Sequence, residues 1–425
     1  MTAVEREFVS LDSVTGRRNG AGFRTCQGLY YKPAKSLPKV AFVATHYNVD
    51  FSEHYIAQRM AARGFGFLGW NTRFRGNEPF FLLEHALIDI GAGVDWLKRE
   101  AGVDIVVLLG NSGGGSLMAA YQSQAVGVTM QATPGLAIPR ALQELHTADF
   151  YVSLCAHGGR PEVLTAWFDP AVADESEPFS VVAELDMYNP EHGPPYSPDF
   201  IARYRLAQVE RNNRITHWCH EELARIERLG MRDRAFNVYR TWADPRLMDG
   251  SLDPSQREVG LCYAGDPKTA NYSPRGIGVT NTLRTWLSMW SLNESWCQAD
   301  IHLPRITVPS LVIQSDGDTG VYPSDANNIY ELNARAEYSF YKINDLGGRG
   351  TYNTSLDLYV FLGISGFYHN PLGSLNPDAP LKEWEKLKPL QTEGVSYSNV
   401  GISTPYGAGF IITSGTFYKF GMYFI

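Results

Sequence analysis

The chain has 425 residues, of which 44% are hydrophobic and 19% charged, with 40 glycines and 24 prolines. That length suits one large domain or a core with an inserted subdomain, and the composition excludes collagen-like, coiled-coil and disordered chains. A formal net charge of −8 excludes the clustered basic surface that nucleic acid or an anionic membrane needs, so a small molecule is the expected partner.

The first confident strand is the apolar run Val40 to Ala44. Ser52 is expected to cap a helix running to Arg63 and stopped by Gly64, and Phe65 to Leu68 resumes extended structure. A helix over about Phe81 to Arg99 follows, then an apolar strand from Asp104 to Leu109. Gly110 to Gly115 turns directly into an alanine-rich helix ending near Gln124, and Phe150 to Ala156 is a further strand ending at His157. Strands alternating with helices are the pattern of βαβ units around a parallel sheet.

From about Phe168 the alternation stops. A proline-rich acidic loop leads to a long helix, capped by Ser197, opened by Pro198 and stopped by Gly230, and further helical and loop sequence runs to about Leu303. Pro309 to Gln314 resumes a buried strand, with a helix over about Pro323 to Ala336 and a strand over about Tyr338 to Ile343. From about Leu346 the character changes to glycine-rich turns, one charged helical stretch around Leu381 to Leu390, and a finish of thirty residues with Lys419 as their sole charge. That tail reads either as a β-rich appendage or as sequence foreign to the core.

Five scattered cysteines, Cys26, Cys155, Cys219, Cys262 and Cys297, include no C-x-x-C pair, which points to a reducing compartment rather than a disulfide framework. The first residues carry acids where a signal peptide needs a basic start and an apolar run, and Leu358 to Tyr368 is too short for a bilayer crossing of about 20 helical residues. A cytoplasmic protein with no membrane segment is expected.

The strongest chemical signal is Gly110-Asn111-Ser112-Gly113-Gly114, a G-x-S-x-G set between an apolar strand and a helix. Small residues there permit a strained turn that lifts the Ser112 hydroxyl clear of the sheet, next to a helix N-terminus and the Gly113 amide. A turn chosen only for tight packing is the competing reading. A dinucleotide loop fails, because Ser112 stands where G-x-G-x-x-G needs its second glycine.

With these residues the chain resembles the α/β-hydrolase superfamily over roughly residues 38 to 345. The resemblance implies a mostly parallel sheet with helices on both faces: core residues 1–170 and 304–345, an inserted helical cap at 171–303, and an atypical tail at 346–425. It also implies an oxyanion loop at Thr45-His46-Tyr47-Asn48, with Tyr47 or Asn48 as second donor beside Gly113, and it likens Asn71 to Gly76 to the family's Arg-Gly loop. Its acid matches Asp318 best, with Asp316 in reserve. The family's histidine follows the last strand, where Ile343 to Gly350 holds none. His369 is the histidine beyond Asp318, and on this reading it is the base that Ser112 requires.

Other clusters carry less. His217-Trp218-Cys219-His220-Glu221 matches no zinc spacing and reads as a helix face. His157 reads equally as a pocket wall or a structural histidine, and Tyr188, Trp242, Trp286 and Trp290 as cap core or pocket wall. The expected function is cofactor-free, metal-free hydrolysis of a small or medium apolar carboxylic ester through an acyl-enzyme. Thioester hydrolysis, C–C hydrolysis and acyl transfer would use the same residues. A non-catalytic hydrolase-fold binding protein is the alternative class.

Overall fold

Alternate side chains of the central strands belong to different cores. Along β3 (Val40–Ala44), Ala41 and Val43 enter one apolar cluster while Val40, Phe42 and Ala44 enter another. The run Val106 to Leu109 divides in the same way. A strand buried on both faces must be apolar throughout, which is why these runs were legible as strands. The computed structural model describes residues 3–13, 26–315 and 317–333, and the backbone alone of 340–343, 397–401 and 411–413.

The sheet begins with two strands the sequence reading did not anticipate, β1 (Val4–Leu11) and β2 (Cys26–Pro33), paired antiparallel. β1 is mostly exposed and carries Glu5, Arg6 and Glu7, so it lacks the apolar signature of a buried strand. After β3 come α1 (Ala57–Ala61), β4 (Gly66–Asn71), α2 (Leu83–Arg99), β5 (Ile105–Asn111), α3 (Gly114–Val126), β6 (Phe150–Leu154) and α4 (Arg160–Trp167). Ser52 does not cap a helix. Its hydroxyl accepts from Asn71 Nδ2 at 2.7 Å and the Phe51 amide donates to Asn71 Oδ1 at 2.9 Å, so Asn71 holds this stretch as a loop and the helix shortens to α1.

Between α4 and the returning sheet lie α5 (Pro198–Glu227), β7 (Ala235–Asn237), α6 (Pro267–Asn271), β8 (Thr280–Thr282) and α7 (Leu283–Thr285), which runs into a π-helical turn, Trp286–Trp290. Ser197 caps α5 as its sequence suggests, accepting from the Phe200 amide at 3.2 Å. Tyr204, Gln208, Arg211, Ile215, Cys219, Leu223 and Ile226 form its buried stripe at helical spacing. β9 (Ser310–Ser315), α8 (Pro323–Leu332) and β10 (Phe340–Ile343) complete the sheet.

The eight strands lie in the order β1-β2-β4-β3-β5-β6-β9-β10. All pairings from β4 onward are parallel, and β2 is antiparallel to both neighbours. This is the α/β-hydrolase fold. α1 covers one face and α2 and α3 the other. Strand order reverses between β3 and β5, and ligands of such sheets bind outside the carboxyl ends at that reversal. In register, Ala44 pairs with Leu109, Asn111 with Leu154, and Leu154 with Ile313, so the loops after β3, β5, β6 and β9 emerge side by side. Among the described residues no helix is long and apolar enough to cross a membrane.

Candidate active site

Ser112 is the first residue after β5 and has φ of +82°, a left-handed conformation that costs a non-glycine residue about 1–2 kcal/mol. The surroundings impose it. The Ser112 amide donates to the Leu154 carbonyl at 3.2 Å, while its own carbonyl accepts from Gly115 and His157 at 3.1 and 3.3 Å. Asn111 Nδ2 donates to the same Leu154 carbonyl at 2.9 Å, and Asn111 Oδ1 lies 3.2 Å from His54 Nε2, which fixes the strand end beneath the turn. A β-carbon at Gly110 would stand 2.5 Å from Gly115 Cα, and one at Gly114 would stand 2.4 Å from the Thr45 carbonyl oxygen. The glycines of the motif therefore answer to close backbone approach. None of the described residues hydrogen-bonds Ser112 Oγ.

The loop after β3 packs on this turn. Tyr47 is fully buried with its hydroxyl 2.9 Å from Ser116 Oγ on α3, and Asn48 Nδ2 donates to Glu78 Oε2 at 2.6 Å. These side-chain anchors fix the loop, and among the described residues no acceptor takes the backbone amides of Tyr47, Asn48 or Gly113. Adjacent amides without an acceptor are the kind of donors that a developing oxyanion beside a serine would need. The Asn71 to Gly76 loop is tied down in turn by Arg73, which grips the buried Asp89 carboxylate through Nε and Nη2 at 2.8 and 2.6 Å.

Asp318 follows β9, one strand beyond β6. Its Oδ1 accepts from Tyr263 Oη at 2.5 Å and from the Gly320 and Val321 amides at 2.9 and 3.0 Å. All three donors meet one oxygen, and none of the described residues donates to Oδ2. Burial pushes the carboxyl above its usual range, while the three hydrogen bonds pull the other way. Asp316 and His369 lie outside the described residues.

Two further histidines border Ser112 without a bond from their rings to its Oγ. His46 Nε2 would stand 2.8 Å from a methyl placed on Gly113; burial, then the charge of Arg160, hold its pKa well below the ordinary value. His157 packs edge-on against Trp167 with centroids 5.9 Å apart, and burial, Arg160 and Arg246 bring it down to about 3. Both imidazoles are neutral at neutral pH. His217 and His220 lie at the surface of α5 beside Glu221 and Glu294, away from this loop cluster. Trp242, Trp286 and Trp290 are buried, as is Tyr188, whose hydroxyl donates to the Trp242 carbonyl.

Sequence reasoning missed two residues here. Tyr263 is remote in sequence from Asp318, and nothing in its surroundings announces the contact. Arg160 follows the His157-Gly158-Gly159 turn and is 5% exposed, its guanidinium 4.5 Å from the Tyr47 ring centroid and 5.3 Å from that of Trp290. A lone arginine opening a helix gives no sequence signal that it points inward.

No family model and no curated protein matches the chain. Solved structures do resemble it. A brefeldin A esterase, a bacterial homologue of human hormone-sensitive lipase, is 12% identical over 83% of this chain and 71% of its own, with a TM-score of 0.40. The α/β hydrolase GrgF from Penicillium sp. sh18 is 13% identical over 80% and 89%, with a TM-score of 0.41. A hyperthermophilic esterase from the archaeon Pyrobaculum calidifontis is 11% identical over 80% and 74%, with a TM-score of 0.39. Strand order and register, rather than these likenesses, carry the fold.

Proposed function

We propose that this chain is a serine hydrolase of carboxylic esters. The observation that carries the reading is Ser112: a left-handed serine between β5 and α3, with neither its hydroxyl nor the amides beside it bonded to any of the described residues. In this reading Ser112 Oγ attacks the acyl carbon, and the Gly113 amide with that of Tyr47 or Asn48 receives the developing oxyanion. The loss of a proton from Ser112 needs a base, assigned to His369. Asp318 Oδ2 is the oxygen left to hold that imidazole in the correct tautomer. The acyl C–O bond then breaks and the alcohol leaves with the proton taken by His369; water attacks the acyl-enzyme, giving its proton to the same base, and the carboxylic acid departs as Ser112 regains its proton. The inserted segment at 171–303 acts as a lid over the strand ends, to which it contributes Tyr263 and Trp290.

A fluorophosphonate probe tests this directly. It labels the wild type and not Ser112→Ala, and the variant loses hydrolysis of p-nitrophenyl acetate by a factor of roughly 10⁶. Full retention of hydrolysis in Ser112→Ala overturns the assignment. One observation favours a second reading, a hydrolase-fold binding protein: no described histidine bonds Ser112 Oγ. Under it, neither labelling nor turnover is seen.

A further inference from the structure

Among the described residues Arg160 has no counter-ion. It is 5% exposed, it makes no ion pair with any of them, and its Nε is buried without a hydrogen-bond partner there. Its guanidinium rests on the rings of Tyr47 and Trp290. Trp290 Nε1, in the ring Arg160 covers, is also buried without an acceptor. Two neighbouring buried donors therefore lack an acceptor among the described residues, in a protein interior where such groups are nearly always satisfied. Cation–π contact offsets only part of the desolvation of a guanidinium.

The other titratable groups around it do not neutralise it. His46 and His157 sense its charge and are held neutral. Glu78 senses it as well, with Oε2 engaged by Asn48 and Oε1 buried without a partner, but no carboxylate oxygen of Glu78 comes close enough to the guanidinium to form an ion pair. The location is specific: a methyl on Gly113 would stand 3.0 Å from Arg160 Cζ and 3.1 Å from Nη1. The cation thus packs on the residue that follows Ser112.

We propose that Arg160 is an anion-recognising residue beside Ser112, pairing with a free carboxylate carried by a short ester substrate. A single planar guanidinium walled by aromatic rings matches one planar monoanion, whereas a phosphate dianion would call for further cations. The oxyanion of the intermediate is a poorer match, because it forms only transiently and the unpaired cation is present in the resting protein. The proposal deepens the hydrolase reading and rests on it for turnover, but not for binding.

The experiment compares monoethyl succinate with diethyl succinate, and acetoxyacetate with its methyl ester, which place the charge on the acyl and the alcohol side respectively. The expected result is a wild-type kcat/KM for one charged ester on the order of 10²-fold above its neutral partner. That ratio collapses toward one in Arg160→Gln and is partly kept in Arg160→Lys. The absence of a preference for the charged ester in both pairs in the wild type, or an equal loss on both members of the preferred pair in Arg160→Gln, overturns the proposal. Calorimetry separates it from the hydrolase reading: Ser112→Ala binds monoethyl succinate or acetoxyacetate in preference to the neutral partner, and Ser112→Ala/Arg160→Gln does not. Such binding without wild-type turnover sinks the hydrolase reading alone. Turnover of neutral esters without charged-ester binding sinks the role of Arg160 alone.

Discussion

The Tyr263 hydroxyl donates to Asp318 Oδ1 at 2.5 Å, so a residue of the inserted segment holds the carboxylate that follows β9. The bond favours the ionised form, against a burial effect that favours the neutral one. An Asp318 that orients a histidine must be ionised. In Tyr263→Phe the carboxyl therefore protonates at higher pH, the acid limb of kcat/KM moves upward, and activity at neutral pH falls by about tenfold. A pH–rate profile of the two proteins checks this; identical acid limbs would detach Asp318 from catalysis. Asp318→Asn is more severe, with a loss on the order of 10⁴, because the amide selects the wrong imidazole tautomer.

Strain at Ser112 makes a separable prediction. Glycine accepts φ of +82° without penalty, so Ser112→Gly is expected to be more stable than the wild type by about 1 kcal/mol even as it loses fluorophosphonate labelling. Ser112→Ala keeps the β-carbon, hence the strain, and gains nothing. Urea unfolding of the three proteins distinguishes these outcomes. Equal stability of Ser112→Gly and Ser112→Ala would mean that the turn stores no recoverable strain.

Asp169, just beyond α4, and Arg240, in the inserted segment, are both buried. Asp169 Oδ2 accepts from Arg240 Nε and Nη2 at 3.0 and 2.5 Å and from Asn271 Nδ2 at 2.7 Å. Asp169→Ala leaves a buried guanidinium without its carboxylate and should cost about 3–5 kcal/mol in unfolding free energy. Asp169→Leu with Arg240→Met removes both charges and recovers a large part of that loss. A double variant no better than the single one would show that the hydrogen bonds to Ala171 and Asn271, rather than the ion pair, dominate.

The Ser112 turn and the sheet were legible for a shared reason: both impose residue types locally. Burial on both faces demands the continuous apolar runs around Phe42 and Val107, and close backbone approach demands Gly110 and Gly114. Ser52 misled because a serine ahead of an apolar-periodic stretch also serves a loop, here as the acceptor for Asn71, and only the fold supplies Asn71. β1 was hidden by its charges. Arg160 and Tyr263 were hidden more deeply, since what marks each is the presence or absence of a partner far away in sequence.

The pH dependence of stability gives the last test. Burial, with Asp300 and Asp325 adding to it, raises Glu162 on α4 from 4.5 to about 8, and its Oε2 is buried without a partner. The folded protein thus binds a proton at Glu162 that the unfolded chain releases near its ordinary value. With the folded pKa raised, the contribution to stability is fully present below about pH 4.5 and is lost progressively as pH rises through about 8, above which it changes no further. Glu162→Gln removes this titration but keeps the shape of the side chain. Relative to the wild type, the variant should gain on the order of 3 to 4 kcal/mol between pH 5 and pH 8, the remaining groups cancelling in the comparison. Unfolding free energies of both proteins across that range measure it, and a difference that stays constant from pH 5 to pH 8 would show that Glu162 is ionised in the fold throughout.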